Sequence, residues 1–284
     1  MWSGFARSPS SLLSNIRLRP EYSRINYLNV ASNPAMRCSP TEALRVTEHR
    51  PWPLPKSPWV MFQAWNDLLF AHWNLPIADV RRFIPSPLEL DTFDGQAWVA
   101  VTPFYISGLR PRFFPPLPGI SDFPELNVRT YVTYAGKGGV FFFSLDAASR
   151  LAVKAARTFY RLPYRFARMM TRKENDQVFY SCSRRERSSA EFHARYWPIS
   201  SVRRRPKGTL EHWLSERYRL YTVSAGKLFH ADIHHVPWPL QDAKAEIATN
   251  TMALTAGIHL PDQQPLLHYA RRLDVFIWPL VSSE

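Results

Sequence analysis

Four side chains of one predicted β-strand have the types needed to hold a small ligand. The segment Phe123–Tyr134 reads FPELNVRTYVTY, and after the glycine-rich turn Gly136–Gly139 a second apolar run follows, Val140–Asp146. Two such runs joined by a glycine turn predict an antiparallel hairpin. Because side chains alternate along a strand, one face of the first strand carries Glu125, Asn127, Arg129 and Tyr131.

This polar face admits two interpretations. If it lines a cavity, it offers one small ligand an acid, an amide, a fixed cation and a phenol. Antiparallel sheets often leave one face in water, so the competing interpretation is structural, with Glu125 and Arg129 paired to each other or to neighbouring strands. The opposite face of the same strand is mostly apolar: Leu126, Val128, Thr130 and Val132.

Metal and nucleophile sites are less well supported. The spacing of His230 and His234 would suit zinc on a helix, but the segment alternates like a strand, so His234 and His235 point to opposite faces. No Gly-x-Ser-x-Gly elbow is present, and Cys182 lies in a hairpin arm that we expect to be exposed. We therefore predict no metal site and no serine or cysteine nucleophile.

The composition is that of a β-rich globular protein. The chain has 284 residues, and 45% of them are hydrophobic, which is enough for one large domain or two small ones. Twenty-five prolines against ten glycines, with 14% aromatic residues, favour strands and rigid connections over a helical bundle. No stretch approaches the roughly 20 apolar residues that span a bilayer, so we expect a soluble protein without a membrane partner.

The formal net charge of +13 could attract nucleic acid or anionic lipid. The cations are spread along the chain, however, and no nucleic-acid motif is present, so nucleic acid is not an expected partner. Two cysteines, Cys38 and Cys182, form neither a metal-ligand spacing nor a disulfide framework. This use of cysteine fits a reducing compartment, and we predict a cytoplasmic protein.

Residues 1–47 differ from the rest of the chain. They are rich in Ser, Asn and Arg, hold few acids before Glu42, and show no helical or strand period. A disordered leader, a targeting segment and a start codon placed too early all remain open, and the shortage of apolar surface favours disorder. We assign residues 48–284 to a single domain.

Within that domain the pattern predicts many strands and a few helices, an α+β architecture built around an antiparallel barrel or cone. Besides the central hairpin, we predict strands over residues 59–73, 88–93, 96–106, 164–171, 177–185, 190–197, 218–223, 227–235 and 266–278. Short helices are predicted over 76–83, 147–160, 209–217 and 250–256, and a long proline-rich loop over 110–123.

The predicted helix after the central hairpin carries a basic stripe. Arg150, Lys154, Arg157 and Arg161 recur at spacings of four, three and four. We expect the opposite side, with Leu151, Ala155, Phe159 and Leu162, to pack on the protein. Such a stripe could bind a phosphate or an acidic partner, although a solvated helix face is the simpler interpretation.

Several long motifs resemble the YqjF-like family of uncharacterised proteins, which is placed in the acetoacetate decarboxylase-like superfamily. The resemblance covers about residues 48–281. The motifs are FPELNVRTYV (Phe123–Val132), FFSLDA (Phe142–Ala147), LPY (Leu162–Tyr164), HRPWP (His49–Pro53), DLLFAHW (Asp67–Trp73), LELDTFDG (Leu88–Gly95), YRLY (Tyr218–Tyr221) and HHVPWPL (His234–Leu240). The resemblance implies an antiparallel β-cone that encloses a ligand cavity.

The resemblance also implies which chemistry is missing. Acetoacetate decarboxylase uses a lysine that forms a Schiff base, in a lysine pair that follows a proline after the central hairpin. The corresponding place here is Pro163, followed by Tyr164 and Arg165. Tyrosine forms no imine and arginine is too basic to act as the amine, so this departure removes the decarboxylase mechanism.

Together these observations predict a β-cone protein that binds a small carboxylated or carbonyl compound, with acid/base chemistry as its only catalysis and no cofactor. The candidate catalytic residues are Glu125 and Tyr164, and the candidate ligand-binding residues are Asn127, Arg129, Tyr131, Arg165 and His72. The alternative is a non-enzymatic interaction protein that uses the basic helix face. The sequence leaves open the identity of the ligand and whether the protein is a homo-oligomer.

Overall fold

The structure, a computed structural model, describes residues 40–185 and 189–283. Its strands are β1 (Met61–Leu75), β2 (Glu89–Leu90), β3 (Ala97–Pro111), β4 (Phe123–Tyr134), β5 (Lys137–Ala147), β6 (Tyr164–Phe166), β7 (Arg168–Glu174), β8 (Gln177–Arg184), β9 (Ala190–Pro198), β10 (Arg219–Ser224), β11 (Lys227–His234), β12 (Gln241–Asn250), β13 (Leu266–Ile277) and β14 (Val281–Ser282). The helices are α1 (Pro40–Ala43), α2 (Ile77–Arg81), α3 (Arg150–Phe159) and α4 (Leu210–Ser215), with a 3₁₀ turn at Ala253–Ala256.

A ring of strands forms the centre of the described chain. Its order is β11-β10-β5-β4-β3-β1-β13, and β13 returns to β11 through the pair Ile233 and Ile277. Neighbouring strands of the ring are antiparallel except β5 and β10, which pair in parallel. At that junction Gly139 lets the strands approach, because a Cβ there would lie 2.6 Å from the carbonyl oxygen of Arg219. The predicted mostly-sheet architecture with few helices is confirmed.

A second layer covers the outside of the ring. Strands β12, β9, β8 and β7 continue the sheet from β13 and fold back over it. The apolar face of β4 packs under this layer, with Leu126 and Val128 in one core cluster with Tyr180, Phe192 and Tyr196. Both faces of β4 are therefore buried, and the polar face looks into the ring.

The central hairpin forms as predicted, with its strands at Phe123–Tyr134 and Lys137–Ala147. Most other predicted strands also form within a few residues of their expected bounds. The structure adds β12 at Gln241–Asn250, a segment whose alanine, lysine and glutamate residues show no strand propensity. Only four residues of the predicted helix at 250–256 form a 3₁₀ turn. Pairing with β9 and β13 decides the conformation of this region, and local propensity does not.

Two predictions about surfaces are wrong. Cys182 is buried, because the face of β8 that carries it packs against the ring. On α3 the buried residue is Val153, whereas Leu151 and Phe159 are 60% and 72% exposed. The connections to β5 and β6 fix which side of this short helix packs, so Leu151, Ala155 and Phe159 face solvent while Leu162, after the helix, is buried.

The predicted leader lies mostly outside the described residues. Of its last part, α1 packs with Ala43 buried beside Phe62, Phe276 and Trp278. The ring of His234 donates from Nε2 to the carbonyl oxygen of Ala43 at 2.8 Å. Among the helices of the described ranges, none is long and apolar enough to cross a membrane.

A bulge in β1 holds the outer layer to the ring. The pairing of β1 with β3 shifts register between Asn66 and Ala71, and Asp67 there has a φ of +47°. Its carboxylate is bound by the Lys173 ammonium and the Tyr269 hydroxyl, and its carbonyl oxygen accepts from Tyr196 at 2.8 Å. Lys173 belongs to β7, so its ion pair with Asp67 joins the two layers.

We expect Lys173→Met to lower the free energy of unfolding by about 2–4 kcal/mol, because it leaves the buried Asp67 carboxylate without its cation. The double variant Asp67→Asn/Lys173→Met should recover part of the loss, since asparagine tolerates positive φ. Urea unfolding measures both changes.

The matched control is Arg271→Met, which breaks the exposed pair of Arg271 and Asp176. Exposed pairs contribute about 0–1 kcal/mol. If Lys173→Met cost no more than this control, the pair of Asp67 and Lys173 would not hold the layers together.

Candidate functional site

The polar face of β4 lies inside the ring together with side chains of its neighbours. The register pairs Asn127 with Thr102 of β3 and Arg129 with Ala100, and Ala100 in turn faces His72 of β1. Paired residues project to the same side of a sheet, so His72 belongs to the same interior surface as Arg129. Five polar side chains of this surface are buried: His72, Thr102, Glu125, Asn127 and Arg129.

Arg129, Tyr131 and His72 form one half of the site. The His72 Nε2 atom lies 2.6 Å from the hydroxyl of Tyr131, and the Arg129 guanidinium lies 5.1 Å from the centre of the Phe70 ring. Burial, together with the charge of Arg129, holds the pKa of His72 well below its usual value, so this imidazole is neutral. Burial raises the pKa of Tyr131, against the opposing effect of the Arg129 charge. The half-site therefore presents one fixed positive charge and two neutral hydrogen-bonding groups.

Glu125 and Tyr164 form the other half. Strand β6 pairs in parallel with the end of β5 and sets Tyr164 opposite Leu145, so that its hydroxyl donates to Oε2 of Glu125 at 2.9 Å. Burial raises the pKa of Glu125 to about 8, although the hydrogen bond from Tyr164 works in the opposite direction. At neutral pH this carboxyl is mostly protonated and can itself donate a proton.

Glu125 and Arg129 do not neutralise each other. Residues four apart on a strand are separated by roughly 13 Å along the backbone, and no ion pair joins Arg129 to an acidic side chain in the described part of the protein. The structural interpretation is therefore met only in part: Glu125 and Arg129 do not pair with each other, but Glu125 accepts a hydrogen bond from Tyr164 of the neighbouring strand β6. The interior holds a neutral acid at one position and an unneutralised cation at another.

Several buried polar atoms around this interior have no hydrogen-bond partner among the described residues. They are His72 Nδ1, Thr102 Oγ1, Asn127 Oδ1, Arg129 Nε, Trp65 Nε1, Trp98 Nε1 and Trp238 Nε1. Buried polar groups of native proteins are nearly always paired with protein or water. The interior therefore contains hydrogen-bonding groups that the described residues leave unused.

Sequence reasoning missed the aromatic part of this interior. Trp213 lies against Tyr131, with ring centres 4.8 Å apart, and Trp238 lies 4.8 Å from Phe70. Arg217 covers both Tyr131 and Trp213 and binds Asp91. The alternation of Trp98 and Thr102 along β3 could have indicated the inward face of that strand. The positions of Trp213 and Arg217 depend on α4 and have no such local signal.

Arg165 does not lie inside the ring with the other candidate residues. It pairs with Asp146 in the parallel register, one residue beyond Tyr164, and so points to the outer side of the sheet. There Asp146 lies fully buried, with the Nε atom of Arg184 3.4 Å from its carboxylate. Burial raises the pKa of Asp146 to about 6, and the charges of Arg184 and Arg165 oppose this rise. Asp146 and Arg184 connect the ring to the outer layer, on the other side of the sheet from Glu125.

No lysine lies in the interior. The seven lysines of the chain are all described, and six are exposed: Lys56, Lys137, Lys154, Lys207, Lys227 and Lys244. The seventh, Lys173, is bound to Asp67 on the outer side of the sheet. A Schiff base with a ligand inside the ring therefore has no lysine amine from which to form.

The three histidines that suggested zinc serve different roles. His234 binds the carbonyl oxygen of Ala43, and Nδ1 of His230 lies 2.7 Å from the hydroxyl of Ser283. Burial lowers the pKa of both to about 4. His235 stacks on Tyr218 with ring centres 4.7 Å apart. Within residues 40–185 and 189–283, no group of three or more His, Cys, Asp or Glu side chains is arranged to hold a metal ion.

Solved structures share this fold. The acetoacetate decarboxylase of Legionella pneumophila superposes with a TM-score of 0.54 over 83% of this chain and 94% of its own, at 13% identity. An acetoacetate decarboxylase-like enzyme of Sphingomonas wittichii gives 0.54 over 80% and 94%, at 14% identity. The enduracididine biosynthesis enzyme MppR, solved with pyruvate, gives 0.55 over 86% and 94%, at 11% identity. At these identities the likeness concerns the fold alone.

Sequence comparison is more specific. The chain is 52% identical to the uncharacterized protein YqjF of Bacillus subtilis over 227 residues, which cover 80% of this chain and 94% of YqjF. Residues 62–274 match DUF2071, whose description is "Uncharacterized conserved protein". The resemblance found in the motifs is thereby confirmed, and the chain belongs to the DUF2071 family, with an acetoacetate decarboxylase-like fold.

Proposed function

We propose that the interior of the ring binds a small molecule with a carboxylate group, and that any catalysis there is acid/base chemistry without a covalent intermediate. The observation that carries this proposal is Arg129, a buried guanidinium without an anionic partner among the described residues. A buried charge without a partner costs several kcal/mol, and a carboxylate accepts two parallel hydrogen bonds from a guanidinium. A carboxylated ligand would remove that cost.

The other half of the site suits a carbonyl or hydroxyl group on the same ligand. Glu125 is mostly protonated at neutral pH and is held by Tyr164. A neutral carboxylic acid in an apolar surrounding can donate a hydrogen bond to a carbonyl oxygen, or a proton if charge develops there. Asn127 lies between Glu125 and Arg129 on β4, with an unpaired Oδ1 that can accept from the ligand.

The neighbours of known fold support this ligand class without fixing the reaction. MppR is described in complex with pyruvate, a small keto acid. The tyrosine at position 164 and the absence of an interior lysine argue against the Schiff-base chemistry of the decarboxylase. A cytoplasmic location and a homo-oligomeric state remain predictions. So does the alternative of an interaction protein that uses the basic face of α3.

A thermal-shift screen tests the ligand class. We expect one or more small keto or hydroxy acids to raise the Tm of the full chain, whereas their methyl esters or amides do not, because only the free carboxylate neutralises Arg129. The variant Arg129→Gln should lose the stabilisation by the acid. As free protein it should not be much less stable than the wild type, since the substitution removes an unpaired buried charge.

The control variant Arg271→Gln removes a surface guanidinium on β13 and should keep the full response. If esters and acids stabilised the protein equally, or if Arg129→Gln kept the response to acids, the carboxylate site would not be at Arg129.

The raised pKa of Glu125 predicts a pH dependence of stability. The folded state keeps a proton on Glu125 up to about pH 8, whereas the unfolded state loses it near the ordinary value of 4.5. The contribution of Glu125 to the free energy of unfolding is therefore largest below pH 4.5. It falls by up to about 1.4 kcal/mol per pH unit as the pH rises to about 8. Relative to the wild type, Glu125→Gln should gain stability across this window, as urea unfolding at several pH values would show.

Glu89→Gln serves as the control, because Glu89 lies exposed on the short strand β2. Asp146 titrates in all three proteins, so the comparison removes its own contribution and retains the effect of its charge on Glu125. A difference between Glu125→Gln and the wild type that stayed constant from pH 4.5 to 8 would show that Glu125 is ionised throughout, and would remove it as an acid.

A further inference from the structure

We propose a second site, outside the ring, in which a cleft between α3 and β6 binds a phosphate group. The cleft has a volume of about 330 Å³ and is lined by Arg150, Val153, Lys154, Arg157, Thr158 and Phe166. This volume is at the lower end of the range for small-molecule sites, roughly 300–1,000 Å³. Three of its six lining residues are cations, and in the described chain none of the three forms an ion pair.

Two of these cationic side chains are held in place by contacts with β6. The guanidinium of Arg150 lies 3.8 Å from the centre of the Phe166 ring, which fixes its plane against β6. Arg157 donates from Nε to the carbonyl oxygen of Tyr164 at 2.7 Å. This bond uses the inner nitrogen and leaves the two terminal nitrogens to bind an anion. Planar guanidinium groups held in place lose little freedom on binding phosphate oxygens in pairs.

The cations of α3 are placed where they disfavour the stability of the helix. The N-terminus of a helix prefers acidic side chains, yet Arg150 occupies the first position of α3 and the first turn holds no acidic residue. Lys154 and Arg157 add like charges on the same side one and two turns later. A cluster of cations that repel one another without a carboxylate nearby is expected where an anion binds, since the anion removes the repulsion.

The ligand chemistry is a phosphate group, which could come from a soluble metabolite or from a lipid head group. Beside the basic cleft, Leu151 and Phe159 are exposed on the outer side of α3. In the lipid case these side chains would enter the bilayer surface. In the soluble case they would not take part. The two sources therefore differ in their dependence on Leu151 and Phe159.

Calorimetric titration of the full chain with inorganic pyrophosphate tests the site. We expect binding that weakens with added salt and an affinity about tenfold lower in Arg150→Gln/Lys154→Gln, since two exposed ion pairs are lost. Arg157 is left unchanged in this variant because it also supports Tyr164. The control Arg161→Gln/Lys227→Gln removes the same net charge outside the cleft and should change the affinity by less than about twofold.

Vesicles of phosphatidylcholine with and without phosphatidylglycerol distinguish the sources. A lipid head group predicts co-sedimentation with the anionic vesicles only, lost both in Arg150→Gln/Lys154→Gln and in Leu151→Ser/Phe159→Ser. A soluble ligand predicts pyrophosphate binding without co-sedimentation. The proposal is overturned if neither probe binds, or if the control double variant weakens binding as much as Arg150→Gln/Lys154→Gln. Carboxylate binding at Arg129 is a separate measurement, so either proposal can fail alone.

Discussion

The structure depends on burying the polar face of one strand inside a ring of strands. Strand β4 contributes Glu125, Asn127, Arg129 and Tyr131 to the inside of this ring, where side chains of this kind lose most of their hydration. Burying such a surface is costly unless its charges are removed or paired. Glu125 meets this requirement by keeping its proton, and His72 by remaining neutral. Arg129 cannot lose its charge, and no carboxylate of the described residues pairs with it.

The position of this surface is fixed from both sides of the sheet. From the outer layer, the hydroxyl of Tyr180 donates to the carbonyl oxygen of Glu125 at 2.7 Å. From within, Tyr164 holds the carboxyl of the same residue. Asp67 with Lys173, and Asp146 with Arg184, connect the ring and the outer layer through buried charges. Since each of these contacts joins strands distant in sequence, the site is held by the layered arrangement as a whole, as preorganised binding requires.

The comparison with acetoacetate decarboxylase separates fold from chemistry. The two chains share an architecture at 13% identity, yet the position expected for the nucleophilic lysine holds Tyr164, and Glu125 is bound to that tyrosine. A fold can serve many reactions, because function depends on the side chains placed in the site. Here the inside of the ring holds a cation and a neutral acid, and on these two groups we base the proposal that a carboxylate binds there.

The sequence alone determined the parts of this protein that depend on local periodicity. Alternation along residues 123–134 was enough to place Glu125, Asn127, Arg129 and Tyr131 on one face, and the glycine-rich turn was enough to predict the hairpin. Specific motifs also identified the family, and the residue after Pro163 excluded a Schiff-base lysine at that position.

Only the tertiary structure decided which surfaces are inside. Pairing with β9 and β13 makes a strand of Gln241–Asn250 against its local propensity, and the outer layer buries Cys182. The connections of α3 turn Leu151 and Phe159 to solvent, and the parallel register of β6 separates Tyr164 from Arg165. These outcomes depend on contacts between segments far apart in the chain. The free energy of such contacts cannot be read from any short window of sequence.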